Sequence, residues 1–172
     1  MKAVIFVGGN KNFTASRLAL KLADELVSRG VAVGVMAVKG KVKAAHAALK
    51  EYAATAKPQT LANTLKKEGA ERVISFMNLT ACRAAAEAKI PFVYVENENF
   101  KEDKAVKDKK ALLKKAQKVV VIRTAQGPLN KKTYAGLKVQ EVANPAVWVE
   151  HYNYNKPACF KKENNIVAVG KL

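Results

Sequence analysis

Short runs of apolar residues alternate with longer helix-like segments along most of this 172-residue chain. The run Val4 to Val7 ends in a glycine pair, and the run Val31 to Val38 follows directly after Gly30. Runs that are apolar at every position, rather than at every second one, are typical of strands buried on both faces of a parallel sheet. Strands of this kind, each followed by a helix, predict an α/β chain with a doubly wound, mostly parallel sheet and right-handed crossovers.

The bounds of the helices and strands follow from glycine, proline and the period of the apolar residues. Thr14 is a candidate N-cap for the first helix, which Gly30 ends. The segment from Val42 to Thr55 is rich in Ala and Lys, and although its pattern is ambiguous, a helix is the expected structure. A three-layer α/β/α, Rossmann-like domain is predicted. The other expected helices are Thr60 to Glu68, Leu79 to Lys89, Asp108 to Gln117 and Leu129 to Ala135, and the other expected strands are Arg72 to Met77, Pro91 to Val95, Val119 to Arg123 and Val139 to Ala143.

The composition of the sequence changes at about residue 143, where the alternating strands and helices give way to a polar and aromatic segment. We expect residues 1–143 to form the Rossmann-like domain. The segment from Asn144 to Asn165 is long, polar and aromatic, which is typical of a connection between domains. The segment from Asn165 to Leu172 combines a polar pair, an apolar run and a glycine, and predicts a strand that leads into a turn. Residues 144–172 are therefore interpreted as an interdomain linker and the first strand of a second domain.

The chain is strongly basic. It has 31 Lys and Arg against 14 Asp and Glu, a net charge of +17 and a pI near 9.9. Such a balance favours polyanionic partners, although a solvated, Lys-rich surface explains the charge equally well. The segment from Lys101 to Lys118 contains eight Lys and three acidic residues. It is a candidate contact for an anionic membrane surface, and a solvated helix is the alternative.

The sequence predicts no metal site and no cofactor. Cys82 and Cys159 have no second Cys or His at metal-ligand spacing, and His46 and His151 each stand alone. The second predicted strand does not end in the acidic residue that would bind the ribose of NAD. The first apolar run is too short for a signal peptide or a membrane span. We expect a cytoplasmic protein with free thiols, with peripheral binding at the inner face of the membrane as an additional expectation.

Candidate site residues follow the predicted strands, because ligands of open parallel sheets bind outside the carboxyl ends of the strands. A glycine pair at such a position allows close approach of a ligand, but can also be a simple turn. Glu96 and Glu98 could hydrogen-bond sugar hydroxyls or transfer protons, with solvated loop acids as the alternative. The residues selected by this rule are Gly8, Gly9, Asn10, Asn78, Glu96, Asn97 and Thr124.

The order of motifs resembles the glycosyltransferases of the GT-B fold, in the large retaining branch that uses nucleotide-sugar donors. The resemblance begins with the glycine pair and Arg17 and runs the length of the chain. The motifs that resemble the family are Glu71 to Asn78 (ERVISFMN), Lys89 to Asn97 (KIPFVYVEN), Ala116 to Thr124 (AQKVVVIRT), Val142 to Pro145 (VANP) and Ile166 to Leu172 (IVAVGKL).

The resemblance implies a role for each matching position. Gly8 and Gly9 would lie beneath the donor diphosphate, and Glu96 with Asn97 at the cleft. Asn78 and the methionine before it stand where many members have a histidine, so no catalytic residue is assigned. The resemblance further implies that Thr124 and Asn144 line the cleft, and that Lys171 replaces an arginine that meets the donor phosphates.

The implied function is that of the N-terminal domain of a glycosyltransferase, which binds a glycan or lipid-linked acceptor. The nucleotide-sugar donor would bind mainly to the second domain, so the 172-residue chain alone is expected to be inactive. The alternative is a basic Rossmann-like module that binds nucleic acid or phosphorylated ligands without transfer chemistry. Nucleic acid is the less favoured partner, because the basic residues are not interleaved with stacking aromatics.

Overall fold

A computed structural model describes residues 1–8, 13–40, 47–97, 106–123, 129 and 134–143. The side chains of residues 13–15, 106, 107 and 143 are not described. The strands are β1 (Lys2–Val7), β2 (Ala32–Val38), β3 (Leu49–Tyr52), β4 (Arg72–Phe76), β5 (Phe92–Asn97), β6 (Lys118–Arg123) and β7 (Val139–Ala143). The helices are α1 (Phe13–Ser28), α2 (Pro58–Lys67), α3 (Leu79–Ala88) and α4 (Val106–Leu113).

Within the described residues, seven strands form one parallel sheet in the order β3-β2-β1-β4-β5-β6-β7. The predicted parallel, doubly wound sheet is confirmed. The apolar runs that begin at Val4, Val73, Phe92 and Val119 all belong to strands with a neighbour on each side. Continuous apolar runs fit these strands because helices cover both faces of the sheet.

The two faces of the sheet pack against different helices. On one face, Ile5 and Val7 pack with Ala19, Leu20 and Ala23 of α1. On the other face, the core is made by β-strand residues together with α2, α3 and α4. The side chains of that second core include Phe6, Leu61, Leu65, Cys82, Phe92, Tyr94 and Leu113. This arrangement is the three-layer α/β/α architecture that the sequence predicts.

The helix expected from Val42 to Thr55 is wrong over its described part. Leu49–Tyr52 is instead the edge strand β3, which pairs with β2 from Val35 onward. The Tyr52 ring packs edge-on against Phe6, with 5.9 Å between the ring centroids. Ala and Lys favour helix, but propensity differences amount to only tenths of a kcal/mol per residue, and pairing with the edge of β2 together with this ring contact outweighs them. Residues 41–46 lie outside the described part.

Other predicted boundaries differ by smaller amounts. Helix α1 includes Phe13, so Thr14 lies within the helix rather than before it. Strand β5 continues to Asn97, which places Glu96 in the strand rather than after it. Of the helix expected from Leu129 to Ala135, residues 130–133 lie outside the described part, as do all of residues 144–172. The division into two domains therefore stays a prediction.

Gly8 lies where the chain leaves β1, beside the end of β4. A Cβ atom at this position would lie 2.6 Å from the carbonyl oxygen of Phe76 and 2.9 Å from that of Met77. Both distances are shorter than any ordinary contact, and both neighbours are backbone atoms that cannot rotate away. Glycine is therefore required for the close passage of these two segments, whatever else the position does.

We expect Gly8→Ala to lower the free energy of unfolding by about 1–3 kcal/mol, as overpacking in a fixed backbone environment does. Gly34→Ala is the matched control, because its Cβ would lie 3.8 Å from a Val4 methyl group, which is ordinary contact. That control should change stability by less than about 1 kcal/mol. Urea unfolding of both variants is the measurement, and equal effects would contradict the packing role of Gly8.

Candidate functional site

The order of strands reverses between β1 and β4, which are neighbours in the sheet. From β1 the chain proceeds outward through β2 and β3, and from β4 it proceeds in the opposite direction. Open α/β sheets bind ligands in the crevice at the carboxyl side of such a switch point. The residues that leave the two strands are Gly8 after β1, and Met77 with Asn78 after β4.

The end of β5 lies beside the same point. The Met77 N–H donates a hydrogen bond to the carbonyl oxygen of Val95 at 2.8 Å, one residue before Glu96. The structure thus places Gly8, Asn78, Glu96 and Asn97 at the carboxyl ends of three adjacent strands. The remaining predicted site residues, Gly9, Asn10, Thr124, Asn144 and Lys171, lie outside the described part of the chain, as does Glu98. The use of these positions in binding stays a prediction.

Met77 has a left-handed backbone with a φ of 50°. This conformation is uncommon for any residue other than glycine and costs of the order of 1 kcal/mol. Lys89, at 59°, also has it, but Lys89 caps the carboxyl end of α3, where left-handed residues are usual. Met77 has no such explanation and lies at the switch point. Strained residues cluster at binding sites, so Met77 marks this turn as a functional candidate.

Asn78 has a structural role in the turn after β4. Its Oδ1 accepts a hydrogen bond from the Ala81 N–H at 3.0 Å and thereby caps α3. Its Nδ2 donates to the Tyr52 hydroxyl at 2.5 Å, and its carbonyl oxygen accepts from the Ser75 hydroxyl at 2.7 Å. Burial raises the pKa of Tyr52, and the bond from Asn78 partly offsets that. The side chain of Asn78 therefore orients α3 at the site.

Glu96 is buried, with 1% of its surface exposed. Its Oε2 lies 2.6 Å from Nζ of Lys109, whose side chain is 17% exposed. The same Nζ is 5.6 Å from the centroid of the Tyr94 ring, a cation–π contact. The alternative that Glu96 is a solvated loop acid is therefore wrong. Its carboxylate forms a buried ion pair with α4.

Two buried polar atoms, one in this ion pair and one next to it, could each form a further hydrogen bond. Neither Oε1 of Glu96 nor the Tyr94 hydroxyl has a hydrogen-bond partner among the described residues, and both atoms are buried. Burial raises the pKa of Tyr94, and the nearby Glu96 carboxylate raises it further, so the phenol stays protonated. The phenol is a donor and the carboxylate an acceptor, within the layer between the sheet and α4.

Cys82 of α3 lies near Ser75 and Glu96, and its thiol is not a nucleophile. Burial raises the pKa of its thiol to about 12, a hydrogen bond with Ser75 opposes this, and the Glu96 carboxylate adds to it. Reaction as a nucleophile requires the thiolate, which does not form near neutral pH at such a pKa. Among the residues that the structure describes, no group of three His, Cys, Asp or Glu side chains could hold a metal ion.

Asn97 differs from the other described site residues. It is half-buried at the end of β5. Successive side chains of a strand lie on opposite faces of the sheet, so Asn97 lies on the face that carries α1, whereas Glu96 lies on the face that carries α4. No hydrogen bond of its side chain is present within the described residues, so its amide can both donate to and accept from a ligand. Asn97 is the described site residue that is best placed to contact a polar ligand.

Sequence patterns did not indicate the structural roles of three of these residues. Lys109 is one of many lysines in a basic segment, and nothing in its spacing singles out a bond to Glu96. Tyr52 lies in a segment that the pattern predicts as a helix. The backbone strain of Met77 has no sequence signal, because methionine is not a residue that favours a positive φ.

The comparisons with known proteins identify a fold and no family. No family model matches the sequence, and no curated protein matches it. Among solved structures, MurG from Acinetobacter baumannii, a glycosyltransferase of the GT-B fold, matches with a TM-score of 0.55 and 14% identity over 74% of this chain. The chain has a Rossmann-like α/β fold that is similar to that of MurG. It covers 42% of the MurG chain.

Two further solved structures match less well. CobK precorrin-6A reductase matches with a TM-score of 0.45 and 16% identity, over 83% of this chain and 68% of that one. The oxidoreductase ylbE from Lactococcus lactis matches with a TM-score of 0.43 and 16% identity, over 72% of this chain and 68% of that one. In the described part of the chain, no helix has the length and apolar character needed to cross a membrane.

We expect Lys109→Met to destabilise the fold by about 3 kcal/mol, because it leaves the Glu96 carboxylate buried without its counter-ion. Lys115→Met, on the exposed side of the same basic segment, is the control and should cost less than about 0.5 kcal/mol. The double variant Glu96→Gln with Lys109→Met should recover part of the loss. Urea unfolding measures all three, and similar values for the two single lysine variants would contradict the buried pair.

We expect Cys82 to resist thiol reagents in the folded protein. In a Cys159→Ser background, where Cys82 is the remaining cysteine, a chromogenic disulfide at pH 8 should react with it only after urea is added. The reason is that a thiol with a pKa of about 12 forms almost no thiolate at that pH. A rapid reaction of the native protein would contradict the burial of Cys82 in the core of the α3 layer.

Proposed function

We propose that this chain is the acceptor-binding, N-terminal domain of a glycosyltransferase of the GT-B kind. Its reaction would transfer a sugar from a nucleotide-sugar donor to a glycan or lipid-linked acceptor. The observation that carries the proposal is the similarity of the fold to MurG over 74% of this chain. The order of the sequence motifs supports the same assignment. The retaining branch of the family is the finer part of the proposal.

In this proposal the carboxyl edge around the switch point receives the acceptor. The amide of Asn97 would hydrogen-bond sugar hydroxyls, as an amide can donate and accept at once. Glu96 is a positioning residue, because its ion pair with Lys109 joins the end of β5 to α4. Gly8 and Gly9 would allow the donor diphosphate to approach the backbone. The catalytic residue is not assigned.

The donor side of the reaction is proposed to lie mostly outside this domain. Transfer requires that the diphosphate be neutralised and the sugar held against the acceptor. In the resembled family those groups come from the second domain, with Thr124, Asn144 and Lys171 as the positions of this chain nearest to it. The chain alone is therefore proposed to bind acceptor and not to catalyse transfer. A cytoplasmic location belongs to the same proposal.

Two binding measurements on the 172-residue chain test the proposal. Calorimetry with a panel of UDP- and GDP-sugars should show no binding tighter than about millimolar, since the donor groups are few. A panel of immobilised oligosaccharides should contain at least one that binds. Asn97→Ala should weaken that binding about five-fold by removing one or two hydrogen bonds, and Asn63→Ala, on the exposed side of α2, should not.

Three results would contradict the proposal. Micromolar binding of a nucleotide-sugar would place the donor site in this domain. Binding of phosphorylated ligands or nucleic acid, with no oligosaccharide bound, would favour the alternative of a basic module without transfer chemistry. Equal weakening by Asn97→Ala and Asn63→Ala would place the acceptor somewhere other than the carboxyl edge.

A further inference from the structure

The amino edge of the sheet, opposite the candidate site, carries a row of exposed lysines. In each βα unit the helix ends where the next strand begins, so the carboxyl ends of α2, α3 and α4 all lie at this edge. The register confirms the position of Lys118, which pairs with Val93 near the start of β5. We call this surface the basic amino edge and define it by six exposed lysines, Lys66, Lys67, Lys89, Lys114, Lys115 and Lys118; exposed Arg72, which begins β4, and Lys138, which precedes β7, lie at the same edge.

These six charges are not neutralised within the described part of the chain, where none of them forms an ion pair. The acids nearby already have other partners: Glu68 bonds Lys2 at 2.9 Å and Lys50 at 2.7 Å, and Glu71 is 3.6 Å from the terminal ammonium group. The hydrogen bonds from Lys50 and Lys2 hold the pKa of Glu68 at about 2. Glu87 of α3 is one exposed acid on the same helix end as Lys89.

The helix dipole explains only part of this pattern. Cations in the last turn of a helix are favourable, which accounts for Lys66 and Lys67 at the end of α2. It does not account for Lys118, which begins a strand. At the carboxyl edge, by contrast, Lys109 and Arg123 are paired with acids, and Lys39 and Lys57 are the other exposed lysines that flank described elements there. The amino edge therefore has the larger uncompensated charge among the described residues.

Two large apolar side chains project from the same edge. Met1, which precedes β1, is 65% exposed, and Val27, in the last turn of α1, is 53% exposed. They are the large apolar side chains that stand out as exposed in the described part. Exposed apolar side chains at the same edge as a row of lysines are typical of surfaces that bind the lipid interface. Surfaces that bind single-stranded nucleic acid instead use stacking aromatics, and no aromatic side chain of the described residues is exposed.

We propose that the basic amino edge docks on anionic lipid headgroups, with Met1 and Val27 entering the interface. The contact that the sequence assigns to the whole segment from Lys101 to Lys118 is thereby confined to the end of that segment. Lys109, earlier in it, is bound to Glu96 at the other edge. Docked in this way, the protein presents the carboxyl edge away from the bilayer. The proposal does not depend on glycosyl transfer.

Vesicle co-sedimentation of the 172-residue chain tests the proposal. The chain should bind vesicles with about 30% phosphatidylglycerol and not vesicles of phosphatidylcholine alone. Binding should fall steeply between about 0.1 and 1 M salt, where the Debye length shrinks from about 10 to 3 Å. The double variant Lys114→Gln with Lys115→Gln should bind about 25-fold more weakly, from about five-fold per lysine.

A matched control variant distinguishes the effect of this surface on binding from the effect of net charge. Lys39→Gln with Lys57→Gln removes two exposed charges at the carboxyl edge, after β2 and before α2, and should change binding less than about two-fold. Val27→Ser should reduce the binding that remains at intermediate salt. Circular dichroism confirms that each variant is folded.

The proposal is overturned if both double variants lose affinity equally, since net charge alone would then explain the binding. It is also overturned if neutral vesicles bind as well as anionic ones. Tighter binding to duplex DNA than to vesicles, weakened by the same Lys114 and Lys115 variant, would identify nucleic acid as the partner instead. Failure of oligosaccharide binding would leave these outcomes unaffected, because it concerns the opposite edge.

Discussion

The rest of the site depends on the close passage of two backbone segments at the switch point. Gly8 leaves β1 directly against the carbonyl oxygens of Phe76 and Met77, where any side chain would collide. This contact allows β1 and β4 to be adjacent while their chains diverge to opposite sides of the sheet. It also accompanies the left-handed turn at Met77, from which Asn78 caps α3. Glycine at this position thus leaves room for the turn from which α3 begins.

The ion pair of Glu96 and Lys109 contributes to the geometry of packing at the end of β5 more than to the free energy of folding. Removing a carboxylate from water costs several kcal/mol, and the attraction to a nearby cation roughly repays that cost. An apolar pair of the same size would make as stable a core. The charged pair instead joins α4 to β5 at one point, with the ammonium group above the Tyr94 ring, and we expect it to favour this arrangement of the two elements. A site built on it is pre-organised before any ligand arrives.

The sequence predicts the sheet well and the chemistry of the site less well, for physical reasons. The run Val4 to Val7 identifies a central strand because burial on both faces demands apolar residues at every position. The strand at Leu49–Tyr52 lies at the edge of the sheet and contains charged, exposed residues. Its position does not require apolar residues throughout, so no continuous apolar run identifies it. Glu96 could be placed at the carboxyl edge from its position alone. Its pairing with Lys109 depends on how α4 packs, which local patterns do not encode.

The edge strand β3 has a consequence for the order of the site. It has four residues and a single neighbour, so it opens more readily than the central strands do. Tyr52 at its end accepts the hydrogen bond from Asn78. We therefore expect a local opening of β3 to release the Asn78 amide at the start of α3 while β1 and β4 stay paired. The hydrogen bond thus links the candidate site to the margin of the sheet rather than to its core alone.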